Sequence, residues 1–184
     1  MSDLRTFLDE EAAHVWRPAG AVSLTQEITA LQQALDARQQ YPVIEITQPK
    51  AADGSINPIP VVCNLTASRE LTARALGVQD HRDFAATYAQ RTANPIAPVT
   101  VQRDAAPVQQ LVLQGEEASL LDLPVLTQHA LDPGPYLTAA HATTYDPETG
   151  VDNTAIQRCW VKGSRRMSYY PYPASHNRRN LRKF

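Results

Sequence analysis

The sequence predicts a mixed α/β (α+β) chain, with an N-terminal α/β domain over residues 1–105 followed by a β-rich part over 106–184. Three observations predict it. Helical and strand-type apolar periods alternate along the first part. Fourteen prolines against seven glycines mark many segment ends. Beyond Pro107 the runs become short and β-compatible, punctuated by turns. With 43% hydrophobic and 20% charged residues among 184, the chain can bury a core, and wholesale disorder is excluded.

Asp3 is placed to cap a first helix, in which Leu4, Phe7 and Leu8 recur at helical spacing, followed by Ala12 and Val15. Ser23 with Gln26 three residues on reads as a capping box. Behind it, Ile28, Leu31 and Leu35 form one apolar stripe with Ala34 beside them, and Tyr41-Pro42 closes the helix. Val43 to Ile46 has strand composition, Pro49 to Pro60 is a turn-rich loop, and Val61 to Leu65 is a second short strand. A helix from Ser68 to Leu76 follows, ended by Gly77 in a left-handed cap. Asp80 or Asp83 starts another through Phe84 and Tyr88 towards Arg91. Pro95, Pro98 and Pro107 then interrupt the helical period, which sets the boundary near residue 105.

In the second part Val108 to Leu113 alternates as a strand, and Leu137 to Thr144 is a second. Ala155 to Val161 pairs with Arg166 to Tyr170 across a Lys162-Gly163-Ser164-Arg165 turn. Asp132-Pro133-Gly134-Pro135 is a further turn. His176 to Phe184 reads as the first turns of a helix, which fits either a free terminus or a helix cut partway. This is the beginning of a β-barrel or sandwich.

Composition also bounds the setting. No window is apolar enough to cross a bilayer, and the acidic, amphipathic start is no secretory signal. Cys63 and Cys159 have no metal-type spacing and fit a reduced, cytoplasmic protein. The net charge of −2 hides an asymmetry, because all 19 acids precede Asn153 and eight of the 17 basic residues follow it. A cationic end of this kind fits an anionic ligand or a solvated tail.

The chemistry concentrates in Asn153-Thr154-Ala155-Ile156-Gln157-Arg158 and Ser175-His176. An amide oxygen and an imidazole nitrogen, joined by one carboxylate, make a mixed N/O site for Mn²⁺ or a similar hard divalent ion. Arg158 supplies a forked, permanently charged donor for a carboxylate or phosphate. Each residue type alone has a commoner structural use. Strict alternation puts Asn153 and Arg158 on opposite faces of a strand, so the arrangement expected is Asn153 at the strand entrance.

The chain resembles the UbiD-like decarboxylases, which use prenylated FMN. The likeness runs from Asp3-Leu4-Arg5-Thr6-Phe7-Leu8 and Gln26-Glu27-Ile28 through Val61-Val62-Cys63-Asn64-Leu65 and Ala75-Leu76-Gly77. Asn94-Pro95-Ile96-Ala97-Pro98, Asp122-Leu123-Pro124, Asp132-Pro133-Gly134-Pro135-Tyr136 and Asp146-Pro147-Glu148-Thr149-Gly150 follow in the family's order. Its most specific part is Asn153-x-x-Ile156-x-Arg158 with the downstream His176.

The resemblance implies that residues 106–184 are the incomplete first part of a split β-barrel of the flavin-reductase-like type. It implies that Asn153 and His176 bind a divalent metal, usually Mn²⁺, which anchors the flavin phosphate, with K⁺ as a frequent neighbour. Thr154, Ala155, Ile156, Gln157 and Arg158 would lie along the cofactor, touching it through the backbone near Ile156 and Gln157. Arg158 matches the arginine that holds the substrate carboxylate and is the catalytic candidate. Ser175 stands beside the metal histidine, where some members carry Gln.

The implied activity is a non-oxidative, reversible decarboxylation of aromatic or α,β-unsaturated carboxylic acids. A separate flavin prenyltransferase would supply the cofactor, and the full-length form is expected to be a homo-oligomer. The family's third metal ligand, a Glu, and its proton-donating acid fall beyond Phe184. No acid from Asn153 onwards replaces them, so little or no turnover is expected of this chain alone.

Two other function classes stand beside this one. A non-catalytic interaction subunit would dock onto a full-length relative or a complementary chain. Nucleic-acid binding would use the Arg-rich end with Trp160, Tyr169, Tyr170 and Tyr172 as stacking residues, and it is the weakest of the three. Cys63 and Cys159 are expected to be buried, and His14 and His81 to lie on helix surfaces. His129 and His141 fall in matched segments without an assigned role.

Overall fold

In the computed structural model, which describes residues 3–184, Asp3 caps α1 (Leu4–Glu10) by accepting the Arg5 and Thr6 N–H groups at 2.8 and 3.1 Å. The helix stops before the end of its apolar stripe. A 3₁₀ turn at Ala12–His14 follows, and Val15, expected on the helix, opens β1 (Val15–Trp16). The β-branched Val15 is used where it pairs in parallel with Val43.

The expected capping box at Ser23 and Gln26 is not formed. Ser23 ends β2 (Val22–Ser23), Gln26 takes a left-handed φ of 64°, and α2 runs from Glu27 to Asp36. The Glu27 carboxylate accepts the Ser23 N–H at 2.6 Å, and Ser23 Oγ accepts the Thr25 N–H at 3.1 Å. The cause is a tertiary bond: Gln26 N–H donates to the Thr127 carbonyl at 2.7 Å, which holds this segment as an extended bridge instead of a first helical turn.

The next elements are β3 (Val43–Ile46), β4 (Pro49–Lys50), β5 (Val61–Cys63), α3 (Arg69–Ala75) and α4 (Phe84–Ala93). Ser68 caps α3 through Leu71 N–H at 3.3 Å. At its far end Gly77 takes φ +67°, its N–H bonding to the Arg74 carbonyl and Val78 N–H bonding back to Ala73. That is a complete Schellman stop, available because glycine carries no Cβ penalty there. Asp80 caps the 3₁₀ turn that leads into α4.

The described chain divides into two compact units, each made of several stretches. One takes in the residues up to Ala21 with Gln32–Thr47 and Pro60–Glu117, the other Val22–Leu31, Gln48–Ile59 and Ala118–Phe184. The first holds a sheet of order β1-β3-β5, parallel and then antiparallel. Leu8, Val43 and Leu71 are buried there, with Val15, Val62 and Leu65 packed against them. The strand expected at Val108–Leu113 is absent. Pro107 starts a 3₁₀ turn instead, and Val108 and Leu111 are 82% and 74% exposed. Alternation makes a strand only where the segment pairs, and among the described residues no strand pairs with this one.

The second unit holds the parallel β2–β4 pair and an antiparallel meander of β6 (Tyr136–Tyr145), β7 (Asp152–Gly163) and β8 (Arg166–Tyr169). The β7–β8 turn is only Ser164-Arg165, because Gly163 still pairs with Arg166. Gly134 sits under the Trp160 indole, where an added Cβ would lie 2.7 Å from Nε1. The last helix, α5, covers His176–Leu181 and so stops short of Phe184. Lys183 N–H closes on the Asn180 carbonyl, and its ammonium reaches Asp146 at 2.8 Å and Glu148 at 2.7 Å. No helix among the described residues is long and apolar enough to cross a membrane.

Candidate functional site

Strand β7 carries six of the eight residues singled out by the sequence. Its burial alternates without a break from Asp152 to Arg158, and its register with β6 is regular over Asp152–Gln157. Asn153, Ala155 and Gln157 therefore share the more buried face, while Thr154, Ile156 and Arg158 share the exposed one. Asn153 is the second residue of the strand, paired with Thr144. It does not escape the alternation at the entrance, as expected from sequence, because the pairing already begins at Asp152.

One edge of this stretch is open. β6 pairs with β7 from Asp152 to Trp160, whereas β8 covers only Cys159 to Gly163. Among the described residues no strand pairs with the second edge of Asn153–Arg158. Main-chain donors and acceptors on that edge are left for a ligand or water.

On the buried side, Ser175 caps α5 and brings His176 into its first turn. The Ser175 hydroxyl accepts the Arg178 N–H at 3.2 Å and donates to the Tyr172 carbonyl at 2.7 Å. His176 and Asn153 line one cleft of about 270 Å³, together with Asp146, Asp152, Arg179 and Asn180. The Asn153 amide nitrogen donates to Asn177 Oδ1, so its own oxygen is the atom left for the cleft. That is the donor set a hard divalent cation takes, an amide oxygen beside an imidazole nitrogen. Among the described residues no group of three or more His, Cys, Asp or Glu side chains is arranged to hold a metal. The residues present thus fit two positions of a cation's shell.

On the exposed side, Arg158 lies over the Tyr136 ring at 4.3 Å, and its guanidinium is 3.6 Å from the Asp132 carboxylate. Asp132 in turn accepts the His129 N–H at 3.0 Å. Tyr136 stacks on Trp160 at 6.3 Å, and the Lys162 ammonium lies 4.2 Å over the indole. Tyr169 joins the Asn177 network through its hydroxyl at 2.9 Å, whereas Tyr170 and Tyr172 are 72% and 68% exposed. Thr154 Oγ1 bonds across the hairpin to Thr143 at 2.7 Å.

Several residues of this site were missed from sequence. Asn177 is fully buried and Asn180 nearly so, both beneath α5. Their spacing of three in His176-Asn177-Arg178-Arg179-Asn180 was the available signal, since it puts both amides on one helix face with Arg178 and Arg179 outside it. Asp132, read as part of a turn, and Tyr136 fell in a segment that carries the family likeness, without an assigned role. The cysteines carry no thiolate chemistry: burial pushes Cys63 up to about 11 and raises Cys159 as well.

Comparison with known proteins covers nearly the whole chain. The family model of the 3-octaprenyl-4-hydroxybenzoate carboxy-lyase N-terminal domain matches residues 9–89, and that of the Rift-related domain of the same enzymes matches residues 99–184. HmfF, a UbiD-class enzyme of Pelotomaculum thermopropionicum solved in complex with FMN, is 31% identical with a TM-score of 0.85 over 98% of this chain and 39% of its own. An evolved dimeric form of HmfF was solved in complex with prFMN. Vanillic acid decarboxylase of Sedimentibacter hydroxybenzoicus, in its closed form, is 25% identical with a TM-score of 0.87 over all of this chain and 40% of its own. Anhydromevalonate phosphate decarboxylase of Methanothermobacter thermautotrophicus is 27% identical over 90% of this chain and 35% of its own length. The chain thus spans between a third and two fifths of the length of these three relatives. With both family domains present in order and a shared backbone, this chain belongs to the UbiD family of carboxy-lyases.

Proposed function

We propose that this chain forms part of the prenylated-FMN site of a non-oxidative, reversible decarboxylase acting on aromatic or α,β-unsaturated carboxylic acids. The observation that carries the reading is the open edge of β7 beside Asn153–Arg158. A ligand lying along a strand edge is flanked by side chains from both faces of the sheet. Asn153 and Arg158 can therefore serve one ligand although they point to opposite sides.

In this reading the backbone of Thr154 to Gln157 bonds the cofactor along that edge. Asn153 Oδ1 and His176 hold Mn²⁺ or a similar divalent ion against the flavin phosphate, with K⁺ as an accessory ion. Arg158, oriented by the Tyr136 ring and Asp132, receives the substrate carboxylate. When bound, prenylated FMN supplies the electron sink that the loss of CO₂ requires. Ser175 acts through the helix cap that sets His176. The β6–β7–β8 meander is read as one part of a split β-barrel, and the remaining ligands and the proton donor as contributions from outside these residues. A flavin prenyltransferase and a homo-oligomeric full-length form complete the proposed setting.

The test is flavin retention. Protein produced with a flavin prenyltransferase is desalted with and without Mn²⁺ and read by absorbance and mass spectrometry. Metal-dependent retention, lost in Asn153→Ala and His176→Ala, supports the reading. Retention indifferent to Mn²⁺ and to both substitutions contradicts it. A docking subunit is the second reading, favoured by Ile96 and Val99 at 95% and 85% exposure. It predicts no flavin but concentration-dependent association.

A further inference from the structure

Asn177 is buried to 0% exposure, the most enclosed polar side chain described in the chain, and every one of its hydrogen-bonding positions is used. Its Nδ2 donates to the Ala142 carbonyl at 3.2 Å and to the Tyr169 hydroxyl at 2.9 Å. Its Oδ1 accepts from Thr144 Oγ1 at 3.1 Å and from Asn153 Nδ2. Thr144 Oγ1 and the Thr144 carbonyl are themselves met by Asn180 Nδ2, at 3.2 and 3.5 Å.

The polarity of this network has one fixed end. A backbone carbonyl can only accept, so the Ala142 oxygen forces Asn177 to present Nδ2 towards it. Oδ1 must then face Thr144 and Asn153. Thr144 has a single hydroxyl hydrogen and gives it to Asn177, which agrees with its accepting from Asn180. Facing an acceptor, Asn153 must present its NH₂ group. Its carbonyl oxygen is turned the other way.

We propose that Asn177 is a positioning residue that sets which way the Asn153 amide is turned, so that Asn153 offers an oxygen, and not an NH₂ group, to a divalent cation shared with His176. The inference rests on the reading of Asn153 and His176 as cation ligands. An asparagine at such a position is a ligand in one orientation and a repulsive donor in the other. A neighbour that removes the second orientation raises affinity without touching the ion, as partners of metal-binding residues generally do. The same bonds explain why a polar residue stands at a fully enclosed position of α5, where a leucine would fill the space.

The test is Mn²⁺ affinity, read by electron paramagnetic resonance with FMN supplied, across four variants of the same chain. Asn153→Ala and His176→Ala test the ligand reading. Asn177→Leu removes the acceptor and is expected to weaken Mn²⁺ about ten- to a hundredfold. Asn177→Asp, which at this enclosed position stands as the protonated acid with its O–H towards the Ala142 carbonyl, keeps an acceptor for Asn153 and is expected to bind no more than about threefold more weakly than wild type. If the two ligand variants lose affinity while Asn177→Leu does not, the positioning role is overturned and the ligand reading stands. If neither ligand variant changes affinity, both fall together. Should Asn177→Leu fail to fold, a wild-type NMR measurement decides the matter. A scalar coupling across the hydrogen bond from Asn153 Nδ2 to the Asn177 carboxamide carbon is expected, and a side-chain amide of Asn153 without it overturns the inference.

Discussion

Asn153 and Arg158 lie on one strand but face opposite sides of its sheet, Asn153 towards the Asn177 amide and Arg158 over the Tyr136 ring. No bulge in β7 between them brings them round, and the nearest register shift lies at Leu137/Ala140 on the partner strand. What they share is the strand edge that β8 leaves open. In the proposed reading this geometry separates two tasks on one short segment: cation binding on the side that carries α5, and carboxylate binding on the side that carries the aromatic stack.

Arg158 is held in a defined place by a ring face at 4.3 Å and a carboxylate at 3.6 Å. Arg158→Lys keeps the charge but loses the planar fork and the stacking, and charge-assisted bonds of this type contribute about 1.5–3 kcal/mol. Binding of benzoate, used as a carboxylate probe in an NMR titration, is expected to weaken about ten- to a hundredfold. Asp132→Asn removes a competing anion and is expected to tighten benzoate by a few-fold. Equal weakening by both would show that Asp132 assists binding instead of competing with the probe.

Gly134→Ala would place a methyl group 2.7 Å from Trp160 Nε1, closer than carbon and nitrogen approach without a bond. The indole must move, which disturbs its stack on Tyr136 and its contact with Lys162. A loss of about 1–3 kcal/mol is expected. Thermal unfolding and the near-ultraviolet circular dichroism of Trp160 measure it, and an unchanged signal in both would count against this packing.

The tether between Lys183 and Asp146 has a defined pH window. Its hydrogen bond to Lys183 holds the Asp146 carboxyl below its ordinary value, while Asp146 and Glu148 raise Lys183. The depressed acid contributes fully above about pH 4, its unfolded range, and loses that contribution as pH falls through the lower folded value. The raised lysine contributes fully below about pH 10.4 and loses it as pH rises through its higher folded value. The end of α5 should therefore stay anchored throughout the neutral range. A carbon-13 titration of the Asp146 carboxyl is expected to show a midpoint below about 3.8 that moves up in Lys183→Met. No movement would mean that the ammonium does not set it.

Local chemistry made much of this fold legible in the sequence. Asp3 and Gly77 cap what they were read to cap, Ser68 stands at the helix start read there, and Asp80, one of two starts read for the next helix, caps the turn before it, because those signals act within a few residues. Val43–Ile46 and the β7–β8 hairpin were also readable, from β-branched runs around a short turn. The failures are tertiary. The box at Ser23 lost to a bond with Thr127, and the segment at Val108 turns at Pro107 and pairs with no strand among the described residues. At the site, motif spacing pointed to Asn153, Arg158 and His176. The residues that orient them were given no role from sequence: the spacing of Asn177 and Asn180 shows a shared helix face but no partner, and Tyr136 and Asp132 take their roles from contacts that only the fold makes.

The most direct measurement is backbone hydrogen–deuterium exchange of this chain with and without FMN and Mn²⁺. A ligand along the open edge should slow exchange within residues 153–158 and at 175–177, while 159–163, already paired to β8, stay unchanged. Slowing confined to other segments, or none in 153–158 under conditions where flavin is bound, would contradict the edge as the cofactor's seat.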